Sequence, residues 1–96
     1  MTVIEELTIT VEPSDRAAYL ERDAEDWTPY LAERDGFLGK EIWLPDDEPG
    51  TIVLIIRWAS MEQWKRISPA QVAAVDQQMG ALQPLTLACR SYRVSG

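Results

Sequence analysis

Apolar and polar residues alternate near the start of the chain. Val3, Leu7, Ile9 and Val11 form the apolar row, and most positions between them carry glutamate or threonine. A period of two predicts a β-strand. Glu5 interrupts the apolar row, and it marks either the start of the strand or a feature with a role of its own.

The next segment has the spacing of an amphipathic helix. Apolar residues recur every three or four positions, at Ala17, Leu20, Ala24, Trp27 and Leu31. This spacing predicts a helix from about Asp15 to Arg34 with a charged opposite face. Pro29 lies inside the pattern and should kink the helix, because proline has no backbone N–H to donate. The alternative is that Thr28 and Pro29 cap a separate short last turn.

Two further strands follow this helix and should form a hairpin. The segments Phe37 to Leu44 and Thr51 to Trp58 are rich in apolar residues, and residues 45–50 between them (PDDEPG) are turn formers throughout. A short loop between two such strands is typical of a β-hairpin.

The last third of the chain predicts two helices and a fourth strand. Two serine–glutamine pairs, Ser60 with Gln63 and Ser68 with Gln71, have the spacing of helix-capping boxes. The final strand covers about residues 85–93. The order βαββαβ is that of the ferredoxin-like fold, an α+β arrangement with a four-stranded antiparallel sheet and helices on one face.

The third strand is apolar on both faces. One row consists of Ile52, Leu54, Ile56 and Trp58, and the other of Val53 and Ile55 with Arg57 at its end. Two helices cover one face of such a sheet, and a strand with one wet face usually alternates. A second copy of the chain is the simplest cover for the other face, so we expect a homodimer. The alternative is a monomer whose open face carries a few exposed aliphatics.

Composition narrows the class of protein. The chain has 96 residues, which fits one domain covering residues 1–96, and its net charge is −7. This charge argues against binding to nucleic acid or to an anionic membrane, because both attract basic patches. The sequence shows no basic, apolar leader and no apolar run of about 20 residues, so we expect a cytoplasmic protein.

The absence of histidine limits the chemistry. The chain has no His and a single cysteine, Cys89. It therefore has no Ser-His or Cys-His nucleophile pair and no His ligand for zinc or haem. Any acid–base work falls to carboxylates, Lys, Tyr or Cys89. A glycine-rich phosphate loop is also missing, so we predict no haem, zinc, flavin or nucleotide cofactor.

Four parts of the sequence carry a family resemblance. They are Trp27 and the segments 36–43 (GFLGKEIW), 53–58 (VLIIRW) and 63–65 (QWK). In this order they resemble the dimeric α+β barrel superfamily, whose best-known branch is the antibiotic biosynthesis monooxygenase-like family. The resemblance covers nearly the whole chain and is closest to an uncharacterised branch of short proteins known mostly from cyanobacteria.

The resemblance implies a fold and a range of activities. In this superfamily two ferredoxin-like protomers face their sheets together as a barrel, and each holds a small-molecule pocket between its sheet and helices. Its members catalyse cofactor-free oxygenation of aromatic substrates, haem degradation, cyclisation and dehydration. The haem-degrading members use an Asn, a Trp and a proximal His, and this chain has neither His nor Asn. The resemblance therefore argues against haem degradation and leaves the other activities open.

Glu41 is the candidate catalytic group. If Leu44 pairs with Thr51 across the hairpin, Glu41 shares a face with the apolar row of the third strand. A carboxyl among apolar groups has a raised pKa and can act as a general acid or base. The alternative is a structural ion pair with Lys40 or with Arg90 of a neighbouring strand or subunit.

The ligand-binding candidates are mainly aromatic. The chain has four tryptophans, and each is either a core residue or the wall of a pocket. Arg57 interrupts an apolar row and either binds a ligand carboxylate or makes a structural ion pair. Tyr19, Asp23 and Tyr30 fall along one flank of the first helix, where they either transfer protons or form a solvated surface. The predicted ligand-binding set is Trp27, Trp64, Arg57, Trp43 and Trp58.

Two functions are compatible with these features. The first is a homodimeric α+β barrel that binds a small apolar or aromatic molecule, either without catalysis or as a cofactor-independent, monooxygenase-like enzyme. The second is a non-catalytic interaction or scaffold protein of the same fold, whose tryptophans serve only as core. A ligand-sized pocket lined by tryptophan and at least one polar group would distinguish the two.

Overall fold

One antiparallel sheet organises the molecule. The computed structural model describes residues 1–82 and 84–96. The strands are β1 (Val3–Thr10), β2 (Phe37–Trp43), β3 (Thr51–Trp58) and β4 (Leu85–Arg93). They lie in the order β2-β3-β1-β4, with antiparallel neighbours throughout. The predicted ferredoxin-like arrangement is confirmed.

The helices pack on one face of this sheet. They are α1 (Arg16–Glu25), α2 (Trp27–Ala32), α3 (Met61–Lys65) and α4 (Pro69–Met79). One core cluster joins Tyr19 and Met79 to the sheet residues Ile9, Ile52 and Leu54. A second cluster joins Leu31 to Ile56 and Trp58, with Trp64 and Ile67 packed against it. No helix in the described part of the chain has the length and apolar character needed to cross a membrane.

The first predicted helix is divided in two, and Pro29 explains where. α1 ends at Glu25 and α2 begins at Trp27. A proline ring collides with the carbonyl group four residues earlier, which here belongs to Glu25. The helix therefore breaks one turn before the proline rather than bending at it.

Serine caps begin the last two helices, as their spacing predicted. The Oγ of Ser60 accepts a hydrogen bond from the backbone N–H of Gln63 at 3.1 Å. The Oγ of Ser68 accepts from the backbone N–H of Gln71 at 3.2 Å, and the Gln71 side chain accepts from the Ser68 N–H at 2.8 Å. These bonds satisfy backbone donors that have no partner inside a helix.

A β-bulge near the start of β2 decides which way its side chains face. Phe37 pairs with Trp58, but Gly39 pairs with Arg57, the very next residue along β3. Leu38 is therefore an extra residue on β2, and it lies 55% exposed. Glycine at position 39 is compatible with such an irregularity, since it places no side chain there.

The bulge overturns the predicted register of the hairpin. Lys40 pairs with Ile56 on the face that carries the helices, whereas Glu41 pairs with Ile55 on the opposite face. The prediction that Glu41 shares the helix-facing apolar row is therefore wrong. The prediction paired Glu41 with Leu54, whereas beyond the bulge each β2 residue pairs one position further along β3 than assumed. A register shift of one residue moves each of these side chains to the other face of the sheet.

Candidate functional site

A cavity of about 570 Å³ lies between the helices and the sheet. This volume is within the range of small-molecule sites, which is roughly 300–1,000 Å³. Apolar side chains of β1 and β3 form its sheet side, among them Leu7, Ile9, Leu54 and Ile56. Trp27 and Trp64 line it from α2 and α3.

Both cavity tryptophans have polar neighbours. The indole N–H of Trp27 donates a hydrogen bond to the carboxylate of Asp76 on α4. The ammonium of Lys65 lies 4.1 Å from the ring centroid of Trp64, at cation–π distance. The cavity wall thus combines aromatic surface with charged groups at its edge.

Glu5 places a carboxyl on the sheet side of the cavity. It lies on the inner strand β1, directly opposite Ile56 of β3. The indole N–H of Trp58 donates to Glu5 Oε1 at 3.1 Å. Burial raises the pKa of Glu5 above its usual 4.5, and the Trp58 hydrogen bond and the positive charge of Lys65 offset part of that rise. Glu5 is therefore a desolvated carboxyl with one oxygen held in place.

A buried ion pair lies on another part of the wall. The ammonium of Lys40 on β2 is 2.5 Å from Oδ2 of Asp23 on α1, and it donates a second hydrogen bond to Thr28 Oγ1 at 3.1 Å. The side chain of Lys40 is only 5% exposed and that of Asp23 only 1%. Oδ1 of Asp23 is buried and has no hydrogen-bond partner among the described residues.

Acidic groups also surround Tyr19, which is 2% exposed. Burial raises the pKa of the Tyr19 phenol, and the negative charges of Asp23 and Asp76 raise it further. Burial likewise raises the pKa of Asp76, although the Trp27 N–H partly offsets this effect. Burial and the two neighbouring carboxylates therefore disfavour ionisation of Tyr19, which stays a neutral phenol.

Cys89 reaches the same cavity from β4. Burial raises the pKa of its thiol, the charge of Glu5 raises it further, and Lys65 lowers it. A raised pKa keeps the thiol protonated near neutral pH, which makes it a poor nucleophile. Within residues 1–82 and 84–96, no three side chains of metal-ligating type are grouped closely enough to hold a metal ion.

The predicted site residues divide between the two faces of the sheet. Trp27 and Trp64 line the cavity, and Trp58 is fully buried beside it as the partner of Glu5. Trp43 is 50% exposed and shares the opposite face with Arg57.

Glu41 also lies outside the cavity. Its Oε2 is 3.5 Å from a guanidinium nitrogen of Arg57, and both side chains are about half exposed. Glu41 therefore makes an ion pair between neighbouring strands of one chain, but its partner is Arg57, whereas Lys40 pairs with Asp23. A catalytic role for Glu41 stays a prediction.

Sequence reasoning missed the polar residues that the structure brings to the cavity. Glu5 left a signal, because it interrupts an apolar row. Asp23 was named on a helix flank as either a proton-transfer group or part of a solvated surface, but its pairing with Lys40 was not predicted. The position of Lys40 could not be predicted, because the bulge reverses the face on which it lies.

Comparison with known proteins identifies the family and the fold. The profile of the Antibiotic biosynthesis monooxygenase family matches residues 2–77. No curated protein sequence matches the chain at a significant level.

Solved structures agree with this result. SnoaB, a cofactor-independent oxygenase from Streptomyces nogalater, has a TM-score of 0.70 at 17% identity, over 99% of this chain and 94% of that one. A candidate antibiotic biosynthesis monooxygenase from Bordetella bronchiseptica has a TM-score of 0.77 at 18% identity, over 98% and 97% of the two chains. A candidate antibiotic biosynthesis monooxygenase from Deinococcus radiodurans has a TM-score of 0.73 at 19% identity, over 98% of this chain and 93% of that one. These identities show a shared fold alone, but the family match spans well over half of the chain, and the protein belongs to the antibiotic biosynthesis monooxygenase family.

Proposed function

We propose that this chain is a homodimeric, cofactor-independent oxygenase that acts on a small apolar or aromatic molecule in the cavity between helices and sheet. Trp27 and Trp64 are the surfaces on which the molecule packs, and Glu5 is the general base. The observation that carries the proposal is the desolvated carboxyl of Glu5 on an otherwise apolar wall of a ligand-sized cavity. The likeness to the Streptomyces nogalater cofactor-independent oxygenase supports the reaction class.

The chemistry needs a base rather than a redox group. An organic anion that is rich in electrons can reduce O2 directly, and removing a proton from an acidic C–H or O–H group produces one. Glu5 accepts this proton, the anion forms a C–O bond with O2, and the resulting hydroperoxide loses water. A CH2 group and O2 then give C=O and H2O, and the substrate supplies all four electrons that reduce O2. The raised pKa of Glu5 makes its carboxylate a stronger base than an exposed glutamate.

Glu5 fits this role better than Glu41 within one protomer. Glu5 lines the cavity and is oriented by Trp58 at 3.1 Å. Glu41 lies on the opposite face and contacts Arg57. In this proposal the Glu41–Arg57 pair is structural.

A second copy of the chain covers the open face of the sheet in this proposal. That face carries Val53 and Ile55 of β3, with Trp43 opposite Val53 on β2 and 50% exposed. Tyr92 of β4 lies on the same face across β1 and is 40% exposed. Apolar surface of this kind on a single chain is typical of an interface.

The segments GFLGKEIW and VLIIRW further lead us to place the chain in the branch of short proteins known mostly from cyanobacteria.

The proposed reaction is tested by O2 uptake. The purified protein, free of added metal and flavin, is mixed with a panel of aromatic acids, quinones and polyketide-like phenols in an oxygen electrode, and binding is followed by tryptophan fluorescence. We expect at least one phenol of the panel to support O2 uptake by the wild type and by Glu41→Gln. We expect uptake by Glu5→Gln to fall to background, because glutamine keeps the shape and the acceptor for Trp58 but is not a base.

Two results would contradict the proposal. Full activity of Glu5→Gln would remove Glu5 as the base. No fluorescence change and no O2 uptake across the whole panel would favour the non-catalytic scaffold protein.

A further inference from the structure

Asp23 is unusual among the polar groups of the cavity. Its side chain is 1% exposed, and one of its oxygens, Oδ2, is bound by Lys40. The other oxygen, Oδ1, is buried without a hydrogen-bond partner among the described residues, although Asp23 lies on the cavity wall. A buried carboxylate oxygen without a donor is costly, so a protein that keeps one usually supplies the donor in another way.

The missing partner must be a donor and not an anion. Lys40 binds the other oxygen of the carboxylate and also donates to Thr28 Oγ1, so the cation that balances Asp23 is already in place. Asp76 and the phenol of Tyr19 line the same cavity. The effect of Asp23 and Asp76 on the pKa of Tyr19 shows that both carboxylates act on this region. A ligand carboxylate has no hydrogen to donate to Oδ1, and it would add a negative charge near Asp76 in a desolvated site.

We propose that Asp23 determines ligand orientation and specificity, with its Oδ1 accepting a hydrogen bond from a neutral hydroxyl or amino group on the bound aromatic molecule. Lys40 holds the carboxylate in position through Oδ2, and Trp27 supplies aromatic surface on the neighbouring helix turn. This inference rests on the proposed function, since it requires a ligand in this cavity, but it concerns binding and does not require turnover.

The test compares three probes that share one ring system. 1-Naphthol carries a donor, 1-methoxynaphthalene has the same ring without a donor, and 1-naphthoate is an anion. Dissociation constants are measured by quenching of tryptophan fluorescence. For the wild type we expect 1-naphthol to bind at least about tenfold more tightly than either of the other two, which is the usual effect of a hydrogen bond to a charged group.

The informative variant replaces both members of the ion pair. Asp23→Leu combined with Lys40→Met removes the acceptor without leaving an unpaired buried charge, and such replacements are often tolerated. We expect this double variant to bind 1-naphthol and 1-methoxynaphthalene with equal affinity. The control, Glu62→Leu with Arg66→Met, makes the same kind of change in an exposed ion pair whose residues do not line the cavity, and it should keep the wild-type preference.

The measured preference among the three probes either supports or overturns the role of Asp23. A wild-type preference that disappears only in the Asp23/Lys40 double variant supports the proposal. Equal wild-type affinity for 1-naphthol and 1-methoxynaphthalene, tightest binding of 1-naphthoate, or a preference that survives in the double variant would overturn it. Failure of the proposed oxygenase alone would instead appear as normal donor preference without O2 uptake.

Discussion

Glu5 occupies a position that an apolar residue would fill at lower cost. On the helix-facing side of β1 it follows Val3 and precedes Leu7 and Ile9, all of which contribute to the core or its edge. Desolvation disfavours its charged form, and one indole N–H compensates only in part. A titratable residue that is retained at a cost in stability is expected to have a function. Because Glu5 lines a cavity and has a raised pKa, we expect that function to be proton transfer.

Replacing Glu5 by glutamine should therefore stabilise the protein at neutral pH. The pKa of Glu5 is higher in the folded than in the unfolded chain, so its favourable contribution is complete below about pH 4.5 and is lost as the pH rises through the folded value. We expect Glu5→Gln to shift the urea midpoint upward at pH 7, and the shift to vanish on acidification below the unfolded pKa. Glu21→Gln makes the same substitution at an exposed position on α1 and should leave the urea midpoint at pH 7 unchanged.

The Asp23–Lys40 pair should behave differently, because each residue neutralises the other. Removing only Lys40, as in Lys40→Met, leaves a buried carboxylate without its counter-ion and should cost about 3–5 kcal/mol. The double replacement Asp23→Leu with Lys40→Met should recover most of that loss. Urea unfolding of the two variants measures the difference, and equal stability of both would contradict a coupled pair.

At the scale of elements, the segment that joins α2 to β2 decides what reaches the cavity. Gly36 takes a left-handed backbone with φ of 87°, and its carbonyl accepts from the N–H of Ala59 at 2.7 Å. Two residues later the bulge at Leu38 sets the direction of the remaining strand. Lys40 thereby lies on the helix-facing side within reach of α1.

Gly36 should accordingly tolerate no side chain. A Cβ at this position would collide with the side chain of Gln63, and the positive φ is itself unfavourable for alanine. We expect Gly36→Ala to lower the free energy of unfolding by at least about 1 kcal/mol. Gly39→Ala is the matched control, since a Cβ there has nothing within 4 Å and the residue has no positive φ. A similar effect at both positions in thermal melts would show that the local geometry is not responsible.

At the scale of the whole molecule, the two faces of the sheet have different environments. The helix-facing side is closed by two core clusters and contains the cavity. The other side is uncovered in the single chain, with Trp43 half exposed and the Glu41–Arg57 pair beside it. Ile55 is nevertheless only 3% exposed, because its neighbours on this face already surround it.

The proposed dimer is tested at Val53. Ile55 is already buried within one chain, so a charge there would damage the protomer itself, whereas Val53 is only partly buried. We expect the wild type to sediment as a dimer at micromolar concentration and Val53→Asp to sediment as a folded monomer, because the interface would hold an unpaired charge. Ala70→Asp adds the same charge at an exposed position on α4 and should leave the dimer intact. A stable wild-type monomer would refute this assembly.

The amino-acid sequence by itself determined the order of elements and the starts of the last two helices. These features depend on local rules: a period of two or of three to four residues, serine caps, and turn residues between the second and third strands. The tryptophans on the first helix and after the third strand were also identified from their place in these patterns, and both line the cavity.

Only the tertiary structure decided which polar groups meet. One extra residue in β2 placed Lys40 on the helix-facing side and Glu41 on the opposite face, and periodicity does not reveal a bulge in advance. Asp23 and Lys40 are 17 positions apart in the chain, and their pairing depends on how α1 packs over β2. A carboxyl acquires unusual chemistry through its surroundings, and those surroundings form only when distant segments exclude water together.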